Sequence, residues 1–176
     1  MPKCIMMVGL PGVGKSTWLK DNLDSILTAP EGFINPFIAS SDFYIDECAR
    51  LLGTTYSEIF PDIIDYAERA FKNDIKTLAF NSYDFVIDRT NLSILSRRKT
   101  MDLIRQYAGG VDPYKHEGSY QFEAIVFKKP DDRTHMDRLA SRHGKYISPK
   151  ELEAMQRNYT MPSNLEGFTN IRVIEG

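Results

Sequence analysis

The sequence predicts an α/β fold in which a mainly parallel central sheet of about five strands carries helices on both faces. Three observations point there. Short apolar runs rich in Val, Ile and Phe alternate with longer segments of helical periodicity, the pattern of successive βαβ units. A glycine-rich loop separates the first such run from the first helical segment. The overall balance, 42% hydrophobic and 26% charged residues in 176, is globular and suits one domain of roughly 150 residues.

Each element has its own signal. Lys3 to Val8 is apolar and ends at the glycine loop, so it reads as a buried strand, and Lys15 to Leu27 reads as the first helix. Pro36 to Ala39 is the second strand, ending in Ser40-Ser41-Asp42, polar residues suited to cap a following helix. From Ile59 to Phe80, apolar residues at Ile63, Ile64, Ala67, Ala70, Phe71, Ile75, Leu78 and Ala79 keep the spacing of a long amphipathic helix. Asp84 to Asp88 is the clearest central strand. Ile94 to Tyr107 is the next helix, ended by Gly109-Gly110 and a polar loop through Gly118. Phe122 to Phe127 is a strand and Asp131 to Ala140 a helix. Ser148-Pro149-Lys150-Glu151 joins a capping box to proline at the first helical position, and Asn170 to Ile174 closes the chain as a strand. With no repeat, low-complexity segment or linker, residues 1–176 are expected to form a single domain.

Composition excludes several classes. The early run Ile5-Met6-Met7-Val8 is far short of the roughly 20 residues of a membrane span, and the glycine loop stands where a signal peptide's apolar core would lie. Two cysteines, Cys4 and Cys48, without a C-x-x-C pair argue against a disulfide scaffold or zinc site, so a cytoplasmic protein away from membranes is expected. A net charge of −2 rules out coating of nucleic acid by bulk electrostatics. Locally the balance shifts: Asp42 to Asp74 carries eight acidic against three basic residues, Arg89 to Arg105 five basic against Asp102 alone, and Lys128 to Arg157 eight basic against five acidic. The basic stretches are either a surface for phosphates or solvated helix faces.

Chemistry concentrates in four places. Gly9-Leu10-Pro11-Gly12-Val13-Gly14-Lys15-Ser16-Thr17 satisfies G-x-x-x-x-G-K-[ST] between a strand and a helix, where backbone N–H groups converge on phosphate oxygens at a helix N-terminus. Lys15 is expected on the β- and γ-phosphates and Ser16 on Mg²⁺, which makes ATP with Mg²⁺ the expected cofactor pair. Asp88 ends a central strand and either shares that metal or caps the next turn. Asp42 follows the second strand and is either a general base for a hydroxyl acceptor or the N-cap of a helix from Phe43. Arg138 and Arg142, four apart, share one face if the helix reaches that far; they serve a transferring phosphoryl group or pair with surface acids, and His143-Gly144 then breaks the helix to give a movable lid. His116, His135 and His143 stand in loop-like or charged contexts without ligand or triad spacing. Trp18 and Leu19 read as core, and Tyr107, Tyr114 and Tyr120 as packing residues.

These residues resemble the P-loop kinase domain of the polynucleotide 5′-hydroxyl kinase family. The resemblance rests on the phosphate loop running into Thr17-Trp18, on Ser41-Asp42 after the next strand and on Asp88-Arg89-Thr90-Asn91 as a D-x-T-N element. It continues in Arg138-x-x-x-Arg142 and in Pro162-x-x-x-Glu166-Gly167-Phe168. It implies a P-loop kinase fold with a helical lid near residues 131–150. It also implies a catalytic set of Lys15, Asp42 and Arg142, nucleotide contacts from Gly12, Val13, Gly14, Lys15, Ser16, Thr17 and Arg138, and Ser16 with Asp88 at the metal. The expected function is transfer of the γ-phosphoryl group of ATP to a nucleic acid hydroxyl, first the 5′ end of DNA or RNA, by a kinase without an attached phosphatase. Ser40-Ser41 stands where that family usually has Asn-Arg, and Ile45 where some members carry a substrate-phosphate arginine. A kinase for a nucleoside, a small metabolite or a hydroxymethylated base within DNA is the alternative. Phe85 to Asn91 followed by Arg97-Arg98-Lys99 also resembles the P-loop domains of certain heterogeneous nuclear ribonucleoproteins, which implies a non-catalytic RNA-associated module as a further alternative.

Overall fold

The computed structural model describes residues 1–33, 36–110 and 120–175, so the expected loop through Gly118, with Tyr114 and His116, lies outside the described residues. Among them, β1 (Lys3–Val8), β2 (Phe37–Ala39), β3 (Phe85–Ile87), β4 (Gln121–Phe127) and β5 (Phe168–Ile174) form one all-parallel sheet in the order β2-β3-β1-β4-β5. From β1 the chain winds first toward β2 and β3 and later toward β4 and β5. The crevice at the carboxyl end of β1 is therefore the switch point of a doubly wound sheet, where ligands of such folds bind.

Strand alternation sorts two cores onto the two faces. Cys4, Met6 and Val8 of β1 join Phe85, Ile87, Phe122 and Val126 against Phe71 and Ile75 of α3 (Tyr56–Phe80) and Met101 and Ile104 of α4 (Ile94–Tyr107). Ile5 and Met7 point the other way and join Val86, Ile125 and Phe127 against Leu19 of α1 (Lys15–Ile26), with Met155 of α6 (Pro149–Arg157) packed alongside. Each large side chain so buried contributes roughly 1.5–3 kcal/mol. Trp18 is half-buried edge-on to Phe127, and the Tyr120 hydroxyl donates to the carbonyls of Leu78 and Tyr83, so both are packing residues as expected.

A third, smaller core of Ile45, Ala49, Ile59 and Ala67 joins α2 (Ser41–Leu52) to the start of α3. α2 begins one residue before Asp42, with Ser40 at its N-cap position, so Asp42 sits in the first turn and is not the cap. α3 begins three residues ahead of the expected Ile59: the Thr55 hydroxyl accepts from the Glu58 amide while the Glu58 carboxylate accepts from the Thr55 amide. That reciprocal box fixes the helix start before the apolar stripe begins.

Arg97 belongs neither to a surface for phosphates nor to a solvated helix face. It is fully buried, pairs through two nitrogens with both Glu166 carboxylate oxygens at 2.8 Å, and donates from Nη1 to the carbonyls of Asn91, Leu92 and Thr160. Arg89 is half-buried over the Phe71 ring and paired with Glu68. Only Arg98 and Lys99 of the Arg97-Arg98-Lys99 run are exposed.

Candidate active site

The site is assembled at the end of β1. Gly12 at φ +78° and Gly14 at φ +94° turn the loop in a way that side chains resist, and α1 starts at Lys15 with Gly14 as its cap. Gly12 has a second reason to lack a side chain, since an added Cβ would lie 2.9 Å from Leu139 Cδ2 of α5 (Asp132–Ala140). Val13 contributes only backbone to the loop, because its side chain is buried in the core beside α1. Further braces hold the loop in place: the Gly9 amide donates to Thr90 O at 3.0 Å, the Asn91 side chain to Met7 O at 2.8 Å, and buried His135 to Pro11 O at 2.8 Å. Asn91 adopts φ +47° in doing so. His135, read from sequence as lying in a charged context, is a strut between α5 and the loop.

Lys15 Nζ donates to the carbonyls of Gly9 and Leu10, both at 2.8 Å, and the residue is only 8% exposed. Burial brings its pKa down to about 8, helped by the Arg142 charge and opposed by Asp88 and Asp42. The Ser16 hydroxyl donates to Asp88 Oδ2 at 3.2 Å. Burial pushes the Asp88 carboxyl up against the opposing pull of Lys15 and Ser16. Ser16, which is exposed, and half-buried Asp88 offer two hard oxygen donors one hydrogen bond apart at the floor of the cleft, a fit for Mg²⁺, which prefers oxygen and retains waters and phosphate ligands of its own. Among the described residues no cluster of three His, Cys, Asp or Glu side chains could hold a metal without such help.

Across the cleft, Asp42 Oδ1 accepts from the Tyr56 hydroxyl at 2.9 Å, and burial followed by the Asp42 charge drives the Tyr56 phenol far above its ordinary range. α5 stops at Ala140, so the expectation that Arg138 and Arg142 share one continuous helix is corrected: Arg142 lies in the turn beyond, its amide on Leu139 O. Both arginines still line the cleft. Arg138 Nη1 comes within 4.0 Å of a Cβ placed on Gly14, and Arg142 Nη1 is buried with no hydrogen-bond partner among the described residues. Neither arginine forms a surface ion pair among the described residues. Beyond Gly144 the segment is not a free flap: Ser57 N donates to Gly144 O and Tyr146 N to Ser57 Oγ, both at 2.8 Å, while Lys145 pairs with Asp46 at 2.6 Å.

The cleft measures about 1890 Å³ and is lined by Gly12, Val13, Gly14, Lys15, Ser16 and Thr17 as well as by Asp42, Asp88, Arg138 and Arg142. It is an open cleft, larger than the roughly 300–1,000 Å³ of a pocket for one small ligand. Sequence reasoning missed Tyr56, Ser57, Lys145, His135 and the Arg97–Glu166 pair. A signal existed only for the first two, because Thr54-Thr55-x-x-Glu58 is a capping box that places Tyr56 on the opening turn of a helix; the others meet their partners only through the fold.

Fold and cleft together define a P-loop kinase-like nucleotide-binding domain. A family model described as an AAA domain matches residues 4–162, and the chain belongs to that family. Among solved structures, a presumed kinase from Chloroflexus aurantiacus J-10-fl superposes with a TM-score of 0.68 at 17% identity, over 99% of this chain and 88% of that one. A component of the Pnkp1/Rnl/Hen1 RNA repair complex matches with a TM-score of 0.58 at 21% identity, over 89% of this chain but 43% of that chain. Shikimate kinase from Acinetobacter baumannii matches with a TM-score of 0.51 at 15% identity, over 100% of this chain and 84% of that one. At these identities the likeness is one of fold. A fold of this kind implies use of a nucleotide, ATP, usually with Mg²⁺. Among the described residues no helix is long and apolar enough to cross a membrane.

Proposed function

We propose that the protein is an ATP-dependent phosphotransferase that moves the γ-phosphoryl group to a hydroxyl of a nucleic acid, with the 5′-hydroxyl end as the first acceptor to test. Residues 1–176 act as one domain whose lid spans about 131–150. The observation that carries this reading is the convergence on one cleft of Lys15, the Ser16–Asp88 pair, the guanidinium nitrogen of Arg142 that has no partner among the described residues and, facing them, Asp42. A binding module has no use for a carboxylate held opposite the phosphate loop, whereas a transferase needs one to take the acceptor's proton.

In this reading the loop amides of residues 12–17 cradle the phosphates, with Arg138 on the nucleotide from the lid side. Ser16 and Asp88 would hold Mg²⁺, whose charge offsets that of the phosphate oxygens when it is bound. Asp42 accepts the proton of the attacking hydroxyl as its oxygen forms a bond to the γ-phosphorus, and the bond from that phosphorus to the bridging β–γ oxygen breaks to release ADP. Lys15 and Arg142 stabilise the charge that spreads over the transferring group.

Two features bear on the acceptor. Phe43 and Phe60 line the cleft with exposed rings, a surface on which an unpaired base can stack. The same wall carries Asp42, Asp46, Glu68 and Asp74, while its cations Arg89 and Lys145 are engaged by Glu68 and Asp46. That acidity, with Arg97 buried, favours a second reading in which the hydroxyl sits on an uncharged group: a nucleoside, a small metabolite or a hydroxymethylated base within DNA. Transfer from γ-labelled ATP to 5′-hydroxyl oligonucleotides, duplexes with hydroxymethylated bases, nucleosides and sugar acids distinguishes them. An end-phosphorylating enzyme that grips neighbouring phosphates shows an acceptor KM that climbs steeply with salt. A flat salt dependence with nucleosides as good acceptors selects the second reading, and no transfer to any hydroxyl refutes both.

A further inference from the structure

We infer that Tyr56 is a positioning residue that holds Asp42 in its working orientation, and that the segment following α5 fixes Tyr56 in that pose; the inference rests on the proposed role of Asp42 as base. Tyr56 is the first residue of α3, and its hydroxyl donates to Asp42 Oδ1 at 2.9 Å. Among the described residues Oδ2 of Asp42 carries no hydrogen bond, which leaves that oxygen for an acceptor's proton. An aspartate in the first turn of a helix otherwise samples several side-chain rotamers, and a donor on one oxygen selects one of them.

Three consecutive residues at the start of α3 are gripped by the segment that follows the lid helix. Gly144 packs so tightly on Thr55 that an added Cβ would lie 2.9 Å from Thr55 Cβ. Lys145 Nζ stands 4.4 Å over the Tyr56 ring while pairing with Asp46, one helical turn beyond Asp42 on α2. Ser57 exchanges hydrogen bonds with Gly144 O and Tyr146 N. A continuous path of contacts thus runs from Arg142, two residues before Gly144, through Lys145 and Tyr56 to Asp42. The side chain proposed to meet the transferring group and the side chain proposed to take the proton are held by one connected set of contacts.

The test uses Tyr56→Phe, which retains the ring under Lys145 and removes only the donor. Two rates are followed, γ-phosphate release from ATP with Mg²⁺, in which water occupies the acceptor position, and transfer to a 5′-hydroxyl DNA oligonucleotide. Tyr56→Phe is expected to lower kcat roughly 10- to 100-fold, the worth of a hydrogen bond to a charged group, while the KM for ATP stays within about twofold. In an Asp42→Asn background the same substitution is expected to change nothing further, since a residue acting through Asp42 has nothing left to act on. A wild-type kcat for Tyr56→Phe in both assays overturns the inference, and so does a loss that persists undiminished on top of Asp42→Asn, the mark of a structural role. A wild-type rate for Asp42→Asn alone removes the base reading, and this inference with it. Loss in Asp42→Asn with none in Tyr56→Phe removes this inference only.

Discussion

On the phosphate-loop side of the cleft the anchors end on backbone atoms, whereas on the opposite side, the proposed acceptor side, they join side chains. Gly9, Asn91 and His135 make hydrogen bonds that fix the main chain at the end of β1 and in the phosphate loop, Arg97 holds the carbonyls of Asn91, Leu92 and Thr160, and Arg97 and His135 are almost wholly buried. Asp42, Asp46, Tyr56 and Lys145 meet through side-chain contacts at the rim, over a core of only four buried residues. The ion pair at that rim, Lys145 with Asp46, is worth about 0–1 kcal/mol to stability. A phosphate cradle must match an unchanging triphosphate and gains from rigidity, while the proposed acceptor wall is held in its pose by a few side-chain contacts.

The sharpest way to break this comparison is to remove one partner of the Arg97–Glu166 pair. Glu166→Gln leaves a guanidinium with no exposure facing a neutral amide, and Arg97→Met strands a carboxylate only 7% exposed. Loss of one partner from such a pair costs about 3–5 kcal/mol. Urea unfolding of Glu166→Gln should show a drop of that order with an unchanged m-value. A drop below about 1 kcal/mol would mean that the fold does not depend on this brace of the Asn91–Leu92 backbone.

That pair also shows what could be read from the chain and what could not. The strands, the phosphate loop and the placement of Asp88 followed from local pattern, because a strand's alternation and a glycine turn are properties of neighbouring residues. Arg97, the first residue of a basic run, looks in sequence like Arg98 and Lys99. Its burial is decided by Glu166, 69 positions away. Tyr56 likewise becomes part of the site only because α2 and α3 bring it to Asp42, and the docking of residues 144–146 depends on where α3 begins. Contacts between distant segments leave no local signature, and the acceptor side is built almost wholly from them.

A smaller effect probes the nucleotide side through protons. Lys15→Met should reduce turnover roughly 10²–10³-fold, the cost of losing one preorganised donor to developing charge. In the ligand-free protein, with metal removed by chelator, Lys15 titrates near 8 in the folded state against 10.5 in the open chain. The unfolded chain therefore binds more protons between those values. The penalty for burying this charge is fully present below pH 8 and is relieved as pH rises toward 10.5. Wild-type stability minus that of Lys15→Met should grow by at most about 1.4 kcal/mol for each pH unit in that window. A flat difference would show that the ammonium is better hydrated than its burial implies.

The smallest expected effect on stability, and the one that best separates the two sides, comes from Arg142→Lys. Arg142 Nη1 is buried without a partner among the described residues, an arrangement that costs free energy until an anion arrives. Lysine keeps one positive charge but gives up the planar fork and the orphaned nitrogen. Folding stability of the ligand-free protein should therefore hold or rise by up to about 1 kcal/mol, while kcat at saturating ATP falls roughly 10-fold or more. Effects of opposite sign are the signature of a group kept in strain for a bound phosphoryl group. If stability falls and turnover does not, Arg142 belongs with Lys145 as a latch on the acceptor wall, and the division between the two sides would have to be redrawn through the lid.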